Sequence, residues 1–143
     1  MKRRMLSIIC VLALCLGLLP TVALAANPTT LTVGGTNVLD GGCWKTNESG
    51  ILTTEGASES DYNVKYDSAT GTLTLKDATI NGTKTTGHVG AGIYAEGDLT
   101  IVLEGSSTVT GVQDPNGDSQ SIRVSGNLTI QGGGSLTAQG AET

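Results

Sequence analysis

Oxygen-bearing side chains recur at alternate positions in Asp114-Pro115-Asn116-Gly117-Asp118, a spacing with which a loop presents ligands to a hard cation. Calcium takes roughly six to eight oxygens, and the standard loop of about twelve residues wants Gly at its sixth position and Glu at its twelfth. Counted from Asp114, those places hold Ser119 and Ser125. Asp-Pro-Asn-Gly is also a strong turn sequence by itself. The turn is the simpler reading, with Asp114, Asn116 and Asp118 kept as calcium candidates. No cofactor is required.

A second chemistry is available to the aromatics, which number four: Trp44, Tyr62, Tyr66 and Tyr94. Sugar rings have apolar faces that stack on such side chains, which carry a polar handle as well. Tyr62 and Tyr66 share the parity of Val64, an inward position, and are expected in the core. Tyr94 lies between inward Ile93 and Ala95 and should point outward, which makes it the first carbohydrate-binding candidate. Trp44 is the second, although covering the end of a core is its simpler task. Catalysis has less to draw on. His88 has Gly and Val neighbours and no ligand-like partner, Arg123 is the one arginine beyond the N-terminal segment, and the acids are scattered through turns.

The elements that position these residues repeat. Leu73-Thr74-Leu75, Leu99-Thr100-Ile101 and Leu128-Thr129-Ile130 each begin two positions after a glycine, at Gly71, Gly97 and Gly126. Gly92 to Ile101 aligns without a gap on Ser121 to Ile130, and Gly105 to Gly111 corresponds to Gly134 to Gly140. Each unit holds three short alternating segments. These are Tyr62 to Asp67, Thr72 to Lys76 and Ala78 to Asn81, then Ile93 to Ala95, Leu99 to Leu103 and Thr108 to Thr110, then Ile122 to Val124, Leu128 to Ile130 and Leu136 to Ala138. Alternation collects Leu, Ile and Val on one face and Thr, Ser, Lys and Gln on the other. Strands this short, three to a unit and recurring as whole units, predict an all-β chain folded as a right-handed parallel β-helix, a solenoid of about three coils. A β-sandwich is the alternative, and it leaves the recurrence of whole units unexplained.

Two polar inserts, Thr83 to Ala91 and Val112 to Gln120, follow corresponding segments and should share one corner. Residues 26–59 differ in pattern. Leu31 to Leu39 reads as a hairpin, and with Trp44 the region is expected to be an N-terminal cap over the coils of residues 60–143. No polar cap follows the third unit, so the solenoid is expected to be a fragment or to be completed by a partner, with self-association through the uncapped coil as one route.

Met1-Lys2-Arg3-Arg4, an apolar run from Met5 to Leu19 and the small residues Ala23 and Ala25 form, in order, the parts of a secretory signal peptide over residues 1–25. In Leu12-Ala13-Leu14-Cys15, Leu14 stands where a lipoprotein signal would need a small residue before Cys15. Cleavage after Ala25 removes Cys10 and Cys15 and leaves Cys43, which cannot form an internal disulfide. It also removes three of the eight Lys and Arg residues and none of the thirteen Asp and Glu, taking the net charge from −5 to −8. That acidity argues against nucleic acid and anionic membrane as partners. No transmembrane segment is expected after cleavage.

Tyr62 to Asp67, Gly71 to Leu75, Gly92 to Ile101 and Gly132-Gly133-Gly134-Ser135-Leu136-Thr137 together resemble β-helical domains in large surface proteins of Gram-positive gut bacteria. Those domains are commonly labelled carbohydrate-binding and are similar to a clostridial β-helix that binds cellulose and acidic plant polysaccharides with calcium. The resemblance covers about residues 31–140 and rests on strand and turn residues, which specify fold more than ligand. It implies a secreted or cell-surface, noncatalytic polysaccharide-binding module. A structural or adhesive β-helical spacer is the alternative. A pectin-active lyase or hydrolase would need clustered acids, or a base beside bound calcium, and the scattered acids disfavour it.

Overall fold

The computed structural model describes residues 26–83, 90–113 and 117–141. It is all-β, with thirteen strands and no helix among the described residues. In chain order they are β1 (Thr30–Val33), β2 (Thr36–Asn37), β3 (Gly42–Thr46), β4 (Leu52–Thr53), β5 (Val64–Asp67), β6 (Thr72–Lys76) and β7 (Thr79–Asn81). Next come β8 (Ile93–Glu96), β9 (Leu99–Glu104), β10 (Ser106–Thr110), β11 (Ile122–Val124), β12 (Leu128–Gly132) and β13 (Ser135–Gln139). No helix among the described residues is long and apolar enough to cross a membrane.

The strands form three sheets, ordered β11-β8-β1-β2, β13-β10-β7 and β12-β9-β6-β5-β3-β4. The sequence repeat is written directly into their register. Ile93 faces Ile122, Leu99 faces Leu128 and Val109 faces Ala138, all parallel and 29 positions apart. One step earlier Val109 faces Ile80, again 29 apart, whereas Ile101 faces Leu73 at 28. The missing residue is at the turn between β6 and β7. There Asp77 adopts a φ of +48°, unusual for a side-chain-bearing residue, where the longer turn of the next unit uses Gly105 at +65°.

The N-terminal part pairs in the other direction. Strand β1 runs antiparallel to β8 and turns back as the hairpin β1–β2. The segment from Tyr62 to Asp67, expected as the opening strand of the first coil, is instead antiparallel to β6 within the same sheet. Strand β3 continues antiparallel to β5, and β4 to β3. The cause is local: the Asp67 carboxylate accepts the Ala69 N–H at 2.9 Å, closing a tight turn that returns the chain beside the strand it left. Parallel stacking therefore begins at β6; two of the three sheets are mixed, and β13-β10-β7 is parallel throughout.

Inward residues of all three sheets meet in one core. Leu31, Val33, Val64, Leu73, Leu75, Ile80, Ile93, Leu99, Ile101 and Val109 are each at most 1% exposed. Full burial of each such side chain is worth about 1.5–3 kcal/mol, so these positions hold the sheets together. Ser107 is the one polar side chain buried among the described residues; its Oγ accepts the Ala78 N–H at 3.1 Å, so its burial leaves no hydroxyl unmatched. Tyr66 is core, as its parity predicts. Tyr62 is not: it precedes β5, outside its alternation, and is only half-buried. The third unit reverses the trend, since Leu128 and Ile130 are 41% and 47% exposed while their partners one unit back, Leu99 and Ile101, are sealed.

Candidate functional site

Tyr94 lies on the outward side of the sheet β11-β8-β1-β2, because alternation along β8 turns Ile93 and Ala95 into the core. Register then supplies its neighbours. Antiparallel β1 sets Thr32 opposite Tyr94 and Thr30 opposite Glu96, and parallel β11 sets Arg123 opposite Tyr94 on the other side. The Tyr94 hydroxyl donates to Glu96 Oε1 at 2.7 Å, and Thr30 Oγ1 donates to Glu96 Oε2 at 2.8 Å. The Arg123 guanidinium carbon stands 6.0 Å from the Tyr94 ring centroid, at the outer reach of a cation–π contact. The bond to Glu96 holds the Tyr94 phenol above the ordinary tyrosine range, and partial burial adds to this. Together the side chains make a ring fixed at its hydroxyl end and flanked by a guanidinium, a carboxylate and two threonines.

Of these neighbours, only Arg123 was accessible from the repeat, since Ile122-Arg123-Val124 aligns on Ile93-Tyr94-Ala95. Glu96 follows Tyr94 by two positions along β8, so alternation puts it on the same face. Thr30 and Thr32 carry no signal of their own and join the group because β1 pairs with β8 across more than sixty residues of chain.

Trp44, the other carbohydrate candidate, is in the core cluster at 8% exposure and helps to close the end of the core formed by β3 to β5. Its ring therefore offers no open face to a sugar. Of the calcium candidates, Asp114 and Asn116 lie outside the described residues, as does His88; Asp118 is described and exposed. Among the described residues no group of three or more His, Cys, Asp or Glu side chains is placed to hold a metal ion.

The two inserts do leave from one corner. The Val112 N–H donates to the Gly90 carbonyl at 2.6 Å, the Gly82 N–H to the Thr110 carbonyl at 2.8 Å and the Gly111 N–H to the Gln139 carbonyl at 2.8 Å. The feet of one insert thus stack on those of the next. A Cβ at Gly90 would lie 2.3 Å from the Val112 carbonyl oxygen, so only glycine permits this approach.

A second polar group covers the outward side of the six-stranded sheet. Lys65 pairs with Glu59 and Lys45 with Asp61. The Lys65 and Lys76 ammonium nitrogens stand 5.9 Å and 5.8 Å from the Tyr62 ring centroid. Cys43 Sγ donates to Glu59 Oε1 at 3.4 Å, and burial, helped by that carboxylate, pushes its thiol up, which makes it a poorer nucleophile. Lys65 holds the Glu59 carboxyl below the usual range.

Several other acids have structural partners. Asp77 Oδ1 accepts the Ser106 N–H at 2.9 Å and Asp98 Oδ1 accepts the Asn127 N–H at 2.7 Å. No family model, no curated protein and no solved structure matches the chain.

Proposed function

We propose that the three sheets are the sides of a right-handed parallel β-helix behind an N-terminal cap, and that the chain is an exported, noncatalytic polysaccharide-binding module. The parallel register of 28 to 29 residues, repeated in all three sheets, supports the helix. The export signal in residues 1–25 supports secretion or surface display, and the resemblance of residues 31–140 to surface-protein domains is what suggests a Gram-positive bacterium.

The binding reading is carried by one observation: Tyr94 is held on an outward sheet face by Glu96 and flanked by Arg123, Thr30 and Thr32. A ring offers its face to a sugar at little entropic cost when its hydroxyl end is already fixed. Arg123, Glu96 and the threonine hydroxyls supply donors and acceptors for sugar hydroxyls around it. The noncatalytic part rests on how the acids are used. Glu59 and Asp61 pair with lysines, Asp77 and Asp98 hold backbone amides, and Glu96 holds Tyr94 and Thr30.

The test is retention of the purified chain on a panel of insoluble polysaccharides, with and without calcium. Tyr94→Ala abolishes retention while leaving the thermal melt unchanged. Retention that survives Tyr94→Ala would show that another face binds, and retention by no polysaccharide would leave the structural spacer as the function.

A further inference from the structure

Four outward side chains of the sheet β11-β8-β1-β2 fall into one row that crosses the strands. Register sets Asn37 opposite Thr32, Thr32 opposite Tyr94 and Tyr94 opposite Arg123, one residue from each strand in sheet order. Neighbouring strands lie about 4.8 Å apart, so the row extends roughly 14 Å with the aromatic ring inside it. The direction along β8 is poorer in groups. There Tyr94 is followed on the same face by Glu96, whose carboxylate oxygens already accept the Tyr94 hydroxyl and Thr30 Oγ1. Two positions before Tyr94 stands Gly92, which has no side chain. What can meet a ligand beyond the ring is therefore arranged across the strands.

The flanking members are all hydrogen-bonding groups. Asn37 is exposed, and its Oδ1 accepts the Leu39 N–H at 3.0 Å, which orients the amide and leaves the NH2 as the group it can offer. Thr32 places a hydroxyl between that amide and the ring. Arg123, exposed on the other side of Tyr94, brings the guanidinium donors.

We propose, resting on the polysaccharide-binding reading, that a neutral, extended glycan chain crosses the strands along this row. About three successive sugar rings lie over it, the middle one on Tyr94, with Asn37 and Arg123 as the specificity-determining residues on either side. Spacing supports the direction, because an extended β-1,4-linked chain advances per ring by close to the separation of neighbouring strands, so successive rings meet successive members of the row. A chain that coils, as an α-1,4-linked glucan does, leaves the face after the ring stacked on Tyr94. Charge supports neutrality. The face sets one guanidinium beside one carboxylate in a chain of net charge −5, which repels an anionic polymer.

Isothermal titration calorimetry tests this on the chain recovered after export. The probes are cellohexaose, xylohexaose and mannohexaose with their di- and tetrasaccharides, and maltohexaose and hexagalacturonate as coiled and anionic counterparts. At least one of the first three binds, its tetrasaccharide about 10-fold tighter than its disaccharide, as expected when further hydrogen-bonding groups are engaged. Asn37→Asp keeps the acceptor for the Leu39 N–H and removes the donors, and Arg123→Ala removes an exposed side chain, so both melt as the wild type does. Each weakens the hexasaccharide by about 2- to 10-fold, the range of one net hydrogen bond. A disaccharide over Tyr94 reaches only one of the two positions and loses affinity in only one variant. Thr108→Ala, outward on β10 in another sheet, changes neither ligand. No hexasaccharide bound, affinity flat with length, indifference to Asn37→Asp, or a preference for maltohexaose or hexagalacturonate would overturn the proposal. If Tyr94-dependent retention on an insoluble polysaccharide accompanies such a result, the binding reading stands and only the crosswise row falls; if there is no retention, both fall.

Discussion

The Asp98 carboxylate accepts the backbone N–H of Asn127 at 2.7 Å, across 29 residues and one step of the stack. Asp77 makes the corresponding contact to Ser106 at 2.9 Å. Sheet ladders join strands to strands; these carboxylates join turns to turns, where the ladder is interrupted. A charged acceptor on a backbone donor is stronger than a neutral bond. Removing Asp98 leaves that amide to find water at a crowded corner.

Asp98→Ala is accordingly expected to lower unfolding free energy by about 1–3 kcal/mol, and Asp98→Asn, which keeps an acceptor, by less. Urea denaturation of the three proteins measures the order. Equal midpoints for wild type and Asp98→Ala would mean that the corner is held by the ladder alone.

Ile101 and Ile130 occupy the same place in successive units and face each other across β9 and β12, yet one is sealed and the other 47% exposed. Ile101→Ala should cost about 2–5 kcal/mol, the range for emptying a core site. Ile130→Ala should cost less than about 1 kcal/mol in the isolated monomer, because little burial is lost. Chemical melts at concentrations below association give both values. A large cost at Ile130 would show that its face is covered.

Tyr94 ionises above the ordinary tyrosine range because its proton is shared with Glu96. The folded value is raised, so the stabilising effect of this bond is present below the ordinary tyrosine pKa and is lost as pH rises through the folded value. Ultraviolet difference titration, with Tyr94→Phe to assign the signal, should show a late phenolate transition. Glu96→Gln removes the carboxylate charge and brings that transition to lower pH. If the transition is unmoved, the Glu96 bond does not govern Tyr94.

Gly105 has a φ of +65°, and a Cβ there would lie 2.0 Å from Asp77 Oδ1. Gly105→Ala meets backbone strain and a clash together and should destabilise by more than about 1 kcal/mol. Pairing it with Asp77→Gly removes the clash and recovers part of the loss, though not the bond to Ser106. A thermal-melt series over the two single variants and the double variant reads the coupling.

The repeat was legible because the register between successive units is a fixed offset in sequence: Leu99 beside Leu128 and Tyr94 beside Arg123 can be written down from spacing. Strand direction was not. Val64 and Tyr66 alternate with Lys65 and Asp67 in the same way whether β5 runs with its neighbour or against it, and only the turn at Asp67 to Gly71 decides. The Tyr94 group was half legible for a related reason. Its ring and Glu96 follow from alternation along β8, but Thr30 and Thr32 join them through an antiparallel pairing that no period reports. Tyr62 was misplaced because parity was extended one step beyond the strand that justified it.

The corner from which the inserts leave has its own consequence. Strands β7 and β8 are separated by residues 82–92 and strands β10 and β11 by residues 111–121, and in both cases backbone bonds at Gly82, Gly90 and Gly111 close the stack beneath the insert. Those bonds fix where each insert leaves and rejoins the sheets, so the feet of successive inserts stand one above another at the spacing of neighbouring strands.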